Sequence, residues 1–488
     1  MFLGIDLGTT NVKALVVDRG GKIVAMGSAP VDRQCTPDGG VEQDIEHIWR
    51  AACEAIRAAV CGTAAPGCAG APDRAAIEAI GVSSQGGALQ LLDADFQPLG
   101  PVISWMDGRG RPFDQSLLGQ LGESFFAEHV GCRSCLITPG QILRLRQQSP
   151  EILEKAAGIG YVGDVILGRL CGRRAHDATS LSIAFLYNPS LGRADPELLG
   201  LLGIREDALP DLMPADVPAG KLRPDAAEAT GLPAGIPVSP AVHDQYAASL
   251  GVGAVREGDV SLGAGTAWAM TANSGRLSAP VTRQAIVCQH PVRGLFGQML
   301  SMVNGGSTIE WAARLTGRRL AREELDSAME AVAPGSDGLM MWPHLVCLAG
   351  SEAAVQGGGR IAGITLAHGP DHLRRAAVEG LCCELARHLQ SLADGGHAIR
   401  RVLLSGGAAS SRVTPQIIAD VTSRPVAAAS EPAVSAFGAA ILARAMLDSG
   451  AGLARLAESF ALARQTFLPG QHAARYHELL ERYLRALR

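Results

Sequence analysis

Gly4-Ile5-Asp6-Leu7-Gly8-Thr9-Thr10-Asn11-Val12-Lys13 opens the chain and decides its fold. Residues 2–18 run from an apolar stretch through a polar Gly-Thr-Thr-Asn turn into an alternating apolar stretch that ends at Asp18-Arg19-Gly20-Gly21. Strand, tight turn, strand and second turn follow from that pattern, and residues 22–26 supply a third strand. This is a β-meander. Residues 45–60 then carry Ile45, Ile48, Trp49, Ala52, Ile56 and Ala59 at helical spacing, and residues 79–83 return to a short buried strand. A meander followed by alternating helices and strands is the pattern of an α/β lobe.

The opening pattern recurs. Asp259-Val260-Ser261-Leu262-Gly263-Ala264-Gly265-Thr266-Ala267-Trp268 again reads as small strand, Gly/Thr turn and strand. Two phosphate-sized turns at the heads of two halves predict a duplicated fold with a cleft between the lobes, the boundary lying near residues 251–258. Length agrees, since 488 residues exceed one ordinary core. The latter half has helical patterns at 307–316, 372–392, 415–422 and 434–447, and a buried strand at 401–404 that runs into Ser405-Gly406-Gly407. A strand that delivers a glycine pair ahead of a helix brings ligand against backbone.

Composition narrows the partners. The chain is 47% hydrophobic and 19% charged, which excludes disorder, and no apolar run reaches the roughly 18 to 20 residues of a membrane span. The first residues lack a basic segment leading into a long apolar one, so no secretory signal is expected. Eleven cysteines, an odd number and mostly scattered, fit reduced thiols in a cytoplasm. Cys132 and Cys135 form one CxxC, and Cys382 and Cys383 are adjacent; without a second pair at matching spacing, buried thiols are expected rather than a metal site. A formal net charge of -5 argues against a nucleic-acid partner and for small molecules. The lysines are few, at 13, 22, 155 and 221, so Lys13 stands out.

Five segments carry chemistry. In Asp6-Leu7-Gly8-Thr9-Thr10-Asn11 the turn can offer N–H and hydroxyl donors to phosphate oxygens while Asp6 holds hydrated magnesium, with Lys13 adding charge; a plain Gly-Thr hairpin with a surface Asp is the alternative. Gly263-Ala264-Gly265-Thr266 is weaker alone and gains weight from the pairing. Asp244, in Val242-His243-Asp244-Gln245, follows an apolar segment at 236–242 and can accept a proton from an attacking hydroxyl, or can cap a helix; His243 packs or orients a loop rather than taking the proton. Trp105-Met106-Asp107-Gly108-Arg109 sets an indole, a carboxylate and a guanidinium in one turn, as a sugar site does; a buried Trp beside a surface ion pair is the alternative. Ser83-Ser84-Gln85-Gly86-Gly87 follows the preceding strand and can line the same pocket.

Together these residues resemble the FGGY family of carbohydrate kinases, in its xylulokinase-like branch, over essentially the whole chain. The opening motif matches the family's first phosphate motif, Trp105-x-Asp107-x-Arg109 its sugar motif, and Asp244 falls where the family keeps its base. The strongest match is the C-terminal signature: Gly359-Arg360-Ile361-Ala362-Gly363-Ile364, then His372-Leu373 and Ala376-Ala377-Val378-Glu379. Gly406-Gly407-Ala408-Ala409-Ser410-Ser411 resembles the adenosine loop, and Phe437-Gly438-Ala439-Ala440 the late glycine-alanine helix behind it.

The resemblance implies two ribonuclease H-like α/β lobes of the actin and hexokinase type with an interlobe cleft: residues 1–250 for sugar and the first phosphate motif, residues 251–488 for the second phosphate motif and adenosine. It implies ATP and magnesium, with Asp244 as general base, Asp6 as metal residue, and Asp6, Thr9, Thr10, Asn11, Lys13, Gly265, Thr266, Gly406, Gly407 and Ser411 on the nucleotide. Gln85, Gly86, Trp105, Asp107, Arg109 and Asp244 would hold a ketose such as xylulose. Ribulose, erythritol, glycerol or a heptulose, and a non-catalytic ATP-binding regulator of the same fold, are the alternatives. Related kinases are often dimers, so a homodimer is possible; no membrane is implied. Departures cluster at the sugar: Gln85-Gly86-Gly87-Ala88 replaces Gln-Met-His-Gly, Gln141-Ile142-Leu143-Arg144 replaces a Lys and Trp signature, and Gly350-Ser351-Glu352-Ala353-Ala354 keeps only the glutamate of Gly-Glu-Arg-Thr-Pro.

Overall fold

β1 (Phe2–Leu7) and β2 (Asn11–Val17) pair antiparallel in a register that sets Asp6 opposite Lys13, and β3 (Ile23–Pro30) continues the meander. The strand Ala79–Ser84 joins β1 in parallel, Pro237–His243 joins that strand in parallel, and Ala175–His176 follows. The carboxyl ends of β1, Ala79–Ser84 and Pro237–His243 therefore lie side by side, which is where ligands meet α/β sheets.

A computed structural model describes residues 1–61, 73–346, 358–448, 450–460, 462 and 464–487. The Gly350–Ala354 departure lies outside them. The chain divides into two compact units, Met1–Val255 with Gly275–Gln298 and Ala433–Ala461, and Arg256–Ser274 with Met299–Pro432 and Leu462–Arg488.

In the first unit, α1 (Ile45–Cys61) buries Ile45, Ile48, Ala52, Ile56 and Ala59 of the stripe its spacing predicts, with Trp49 half-buried, against β2 and β3. Gly27 permits the approach, since a Cβ there would stand 2.1 Å from the carbonyl oxygen of Ala55. The other face of the sheet takes the helix Val434–Leu447, which packs on β1, on Ala79–Ser84 and on the helix Asp244–Gly251. Cβ atoms on Gly4 and Gly81 would lie 1.8 and 1.7 Å from the carbonyls of Ala436 and Ala439. The glycine-alanine helix expected behind the adenosine loop is thus counted in the first unit, because its small residues let it rest on glycines of that sheet. The division in space does not follow a single point in the chain.

The second unit repeats the topology. Asp259–Ala264 pairs antiparallel with Trp268–Ser274 and parallel with Arg401–Ser405, which pairs parallel with Val426–Ala428. Antiparallel strands joined to parallel ones in both units make the ribonuclease H-like α/β fold that the sequence implied. The helices Gly306–Leu315, Pro370–Asp394 and Thr414–Thr422 fall where the periodicity sets them. Cys132, Cys135, Cys382 and Cys383 are free and buried. No group of three His, Cys, Asp or Glu able to hold a metal ion, and no helix long and apolar enough to cross a membrane, occurs among the described residues.

Candidate active site

Asp6, one residue before the end of β1, lies beside Ser83 of the neighbouring strand, and Ser83 in turn stands opposite Val242, two residues before Asp244. Ser83 Oγ donates to Asp6 Oδ1 at 2.9 Å. Burial, and next the nearby charge of Asp244, push the Asp6 carboxyl up to about 7 against the pull of Ser83 and Lys13. Asp244 opens the helix Asp244–Gly251 as its first residue, with His243 in the cap position, so its carboxylate is not spent as a cap. Its side chain keeps 28% exposure. Burial raises its pKa to about 6, while the backbone N–H and side chain of Gln245 pull it down. Two carboxylates held up in this way at one sheet end favour a shared proton or a cation.

The Gly8–Asn11 turn is tied into a ring. Trp105 Nε1 donates to Thr9 Oγ1 at 3.1 Å, Thr9 Oγ1 to Gln85 Oε1 at 3.0 Å, Gln85 Nε2 to Gln43 Oε1 at 3.0 Å, and Gln43 Nε2 to the Thr9 carbonyl at 3.0 Å. Trp105, Thr9 and Gln85 are therefore one assembly, with the indole 45% exposed. Thr10 and Asn11 are exposed, and Asn11 Nδ2 reaches Thr10 Oγ1 at 3.4 Å. Lys13 is half-buried beside Asp6.

Asp107 and Arg109 face inward. The Asp107 side chain has no exposure; it accepts from Arg109 Nη2 at 2.7 Å, from the Val41 N–H at 3.0 Å and from Gln141 Nε2 at 3.1 Å. Burial alone would raise its pKa, but the hydrogen bonds from Arg109 and the Val41 N–H, with the Arg109 charge, outweigh it and hold the carboxyl below its ordinary value. Arg109 also donates to Glu42 at 2.6 Å, and Arg144 Nε donates to Gln141 at 2.8 Å. The pair stiffens the turn that presents Trp105. Gln43, Glu42 and the Asp177–Thr179 cap below His243 were not read from the sequence; a polar residue before a helix carries no signal of a partner 34 or more positions away.

In the second unit, Gly265 and Thr266 are exposed at the tip of their hairpin, and their carbonyls accept the N–H groups of Gly306 and Ser307 at 2.9 and 3.1 Å. Gly406 has φ +83°, and a Cβ there would stand 2.8 Å from the backbone of Ala264. Ser411 Oγ donates to Asp326 Oδ1 at 2.5 Å. Gly265, Thr266, Gly407 and Ser411 line one cavity of about 380 Å³ with apolar Ile309 and Met329, a volume that suits a nucleoside.

Residues 1–251 match the N-terminal domain of the FGGY family of carbohydrate kinases, and residues 261–447 match its C-terminal domain. The chain belongs to this family. It is 30% identical to an L-fuculokinase of Salmonella typhi over 90% of this chain and 91% of that protein, and 26% identical to a xylulose kinase of Escherichia coli (strain K12) over 99% and 98%. The crystal structure of a xylulose kinase from Rhodospirillum rubrum superposes with a TM-score of 0.86 at 25% identity, over 100% of this chain and 97% of that one. The FGGY protein described here is an ATP-dependent sugar kinase.

Proposed function

We propose that this FGGY kinase phosphorylates a hydroxyl of a small ketose with Asp244 as general base. The observation that carries the reading is the carboxylate of Asp244 itself: partly exposed, raised to about 6, and at the same sheet end as Asp6. The acceptor hydroxyl gives its proton to Asp244 as its oxygen bonds to the γ-phosphorus, and the bond from that phosphorus to the bridging oxygen breaks to leave ADP. Trp105 offers the acceptor a ring face, while Gln85 and Gly86 set the floor and Asp107 with Arg109 hold the turn. Gly265, Thr266, Gly406, Gly407 and Ser411 take the nucleotide.

Magnesium fits the residues present. The Asp6 carboxyl has a like-charged neighbour and a serine hydroxyl, which suits a cation that keeps several waters and is otherwise held by phosphates. When bound it would neutralise charge developing on the phosphate oxygens. Thr9, Thr10, Asn11 and Lys13 then serve the phosphate side of the same turn. Nine described cysteines, all unbridged, support a cytoplasmic setting.

A ketose other than xylulose is the second reading. It is favoured by Gly86 and Gly87 and by the higher identity to L-fuculokinase. Release of ADP measured across xylulose, ribulose, L-fuculose, erythritol and glycerol decides between them; inactivity on every ketose would refute the ketose reading.

A further inference from the structure

His243 ends the strand Pro237–His243 immediately before the base. Its side chain is 7% exposed, and Nε2 lies 3.3 Å from Asp244 Oδ1. Its backbone N–H donates to Thr179 Oγ1 at 3.0 Å, Thr179 Oγ1 donates to Asp177 Oδ1 at 2.5 Å, and the Asp177 N–H returns to the Ala241 carbonyl at 3.0 Å. The ring is thus carried on a strand end fixed to the helix Ala178–Ile183. On its other side a Cβ on Gly86 would stand 2.5 Å from His243 Cδ2 and 2.3 Å from Ile183 Cγ2. The imidazole and the Ile183 side chain together fill the volume that a side chain at position 86 would need.

Burial lowers the imidazole pKa to about 4, so the ring is neutral near pH 7 and carries one N–H. Nδ1 is buried without a hydrogen-bond partner. An N–H enclosed there with nothing to donate to would be costlier than a bare lone pair, so the proton belongs on Nε2, facing Asp244. A neutral ring of this basicity does not retain a proton taken from the acceptor.

We infer that His243 is a positioning residue for the base, its Nε2 edge turned toward Asp244 Oδ1 and restricting that carboxylate's rotamer, and that residue 86 is glycine because the ring and Ile183 stand in its place. The inference rests on the assignment of Asp244 as base. Gln245 holds the same carboxylate from within the helix, so His243 supplies the restraint from the strand.

The test uses the full chain with its best acceptor and four variants: His243→Ala, His243→Gln, Gly86→Ala, and Gly86→Ala with His243→Ala. A misplaced base costs about a hundredfold when atoms shift by an ångström. His243→Ala should lose roughly ten- to a hundredfold in kcat with the KM for ATP within about twofold, and His243→Gln, which keeps an N–H donor, should recover most of the loss. Gly86→Ala should lose at least a similar factor, because its Cβ meets both the ring and Ile183, and the double variant should lose less than the two single losses combined, the non-additivity expected of two groups sharing one volume. Unchanged kcat in His243→Ala, equal losses in His243→Ala and His243→Gln, or additive losses in the double variant would overturn the inference. Full turnover in Asp244→Asn would instead sink the base assignment beneath it. A purely structural histidine would weaken ATP binding together with kcat and would not distinguish glutamine from alanine.

Discussion

Ser83 Oγ donates to Asp6 Oδ1 at 2.9 Å across two parallel strands in which these residues are register partners. The hydroxyl favours the ionised carboxylate at a place where burial and Asp244 oppose it. Ser83→Ala should raise the Asp6 pKa above about 7 and leave more of it protonated at neutral pH. Half-saturation by magnesium at fixed ATP should then rise several-fold, more at pH 6.5 than at pH 8, as expected for a hydrogen bond to a charged group worth about 1.5 to 3 kcal/mol. An unchanged magnesium titration at both pH values would separate Ser83 from the metal.

Asp244→Asn should remove the proton acceptor and little else. General-base contributions run to about 10² to 10⁴ in rate, so kcat should fall by at least roughly a hundredfold while ATP affinity by calorimetry stays the same. The pH–rate profile of the natural chain should lose activity on the acid side with a limb near 6.

Stability should move the opposite way. The Asp244 pKa is raised in the fold, from 3.8 to about 6, so its contribution to folding is complete below about pH 4 and is lost as pH rises through 6. Asp244→Asn should therefore be more stable than the natural chain at pH 8, by at most about 3 kcal/mol at 1.36 kcal/mol per pKa unit, with the gap closing near pH 4. Urea unfolding at the two pH values reads this directly.

Asp326→Ala should free Ser411, whose hydroxyl it accepts at 2.5 Å at the edge of the 380 Å³ cavity. The KM for ATP should rise several-fold with the KM for the acceptor unchanged. Equal effects on both would remove the nucleotide from this cavity.

Gly81→Ala places a Cβ 1.7 Å from the Ala439 carbonyl, a backbone atom that cannot step aside. Destabilisation of about 3 kcal/mol or more is expected, as for overpacking that forces backbone shifts. A midpoint in urea equal to that of the natural chain would show that the helix is free to retreat.

Local patterns were legible and distant pairings were not. The meander, α1 and the hairpin of Gly265 and Thr266 depend on neighbours within a few positions, so alternation and helical spacing reveal them. The same spacing exposed Asp244 at a strand end. Asp107 and Arg109 carry the residue types of a sugar fork, but their orientation depends on Val41, Glu42 and Gln141, between 34 and 67 positions from the residues they bond. No short pattern encodes which way such a pair turns. The Thr9–Gln85–Gln43 ring is hidden for the same reason, and the place of the helix Val434–Leu447 is legible only once Gly4 and Gly81 are seen beneath it.

That helix has a consequence for how the protein is made. Residues 434–447 emerge from the ribosome long after β1, yet they cover the sheet face on which Gly4 and Gly81 lie. The sheet of the first unit therefore cannot be covered until those late residues have been made. Its apolar sheet face waits, uncovered, until then, and a chain cut short after residue 432 would keep Asp244 and the Gly8–Asn11 turn without the helix that closes the sheet bearing them.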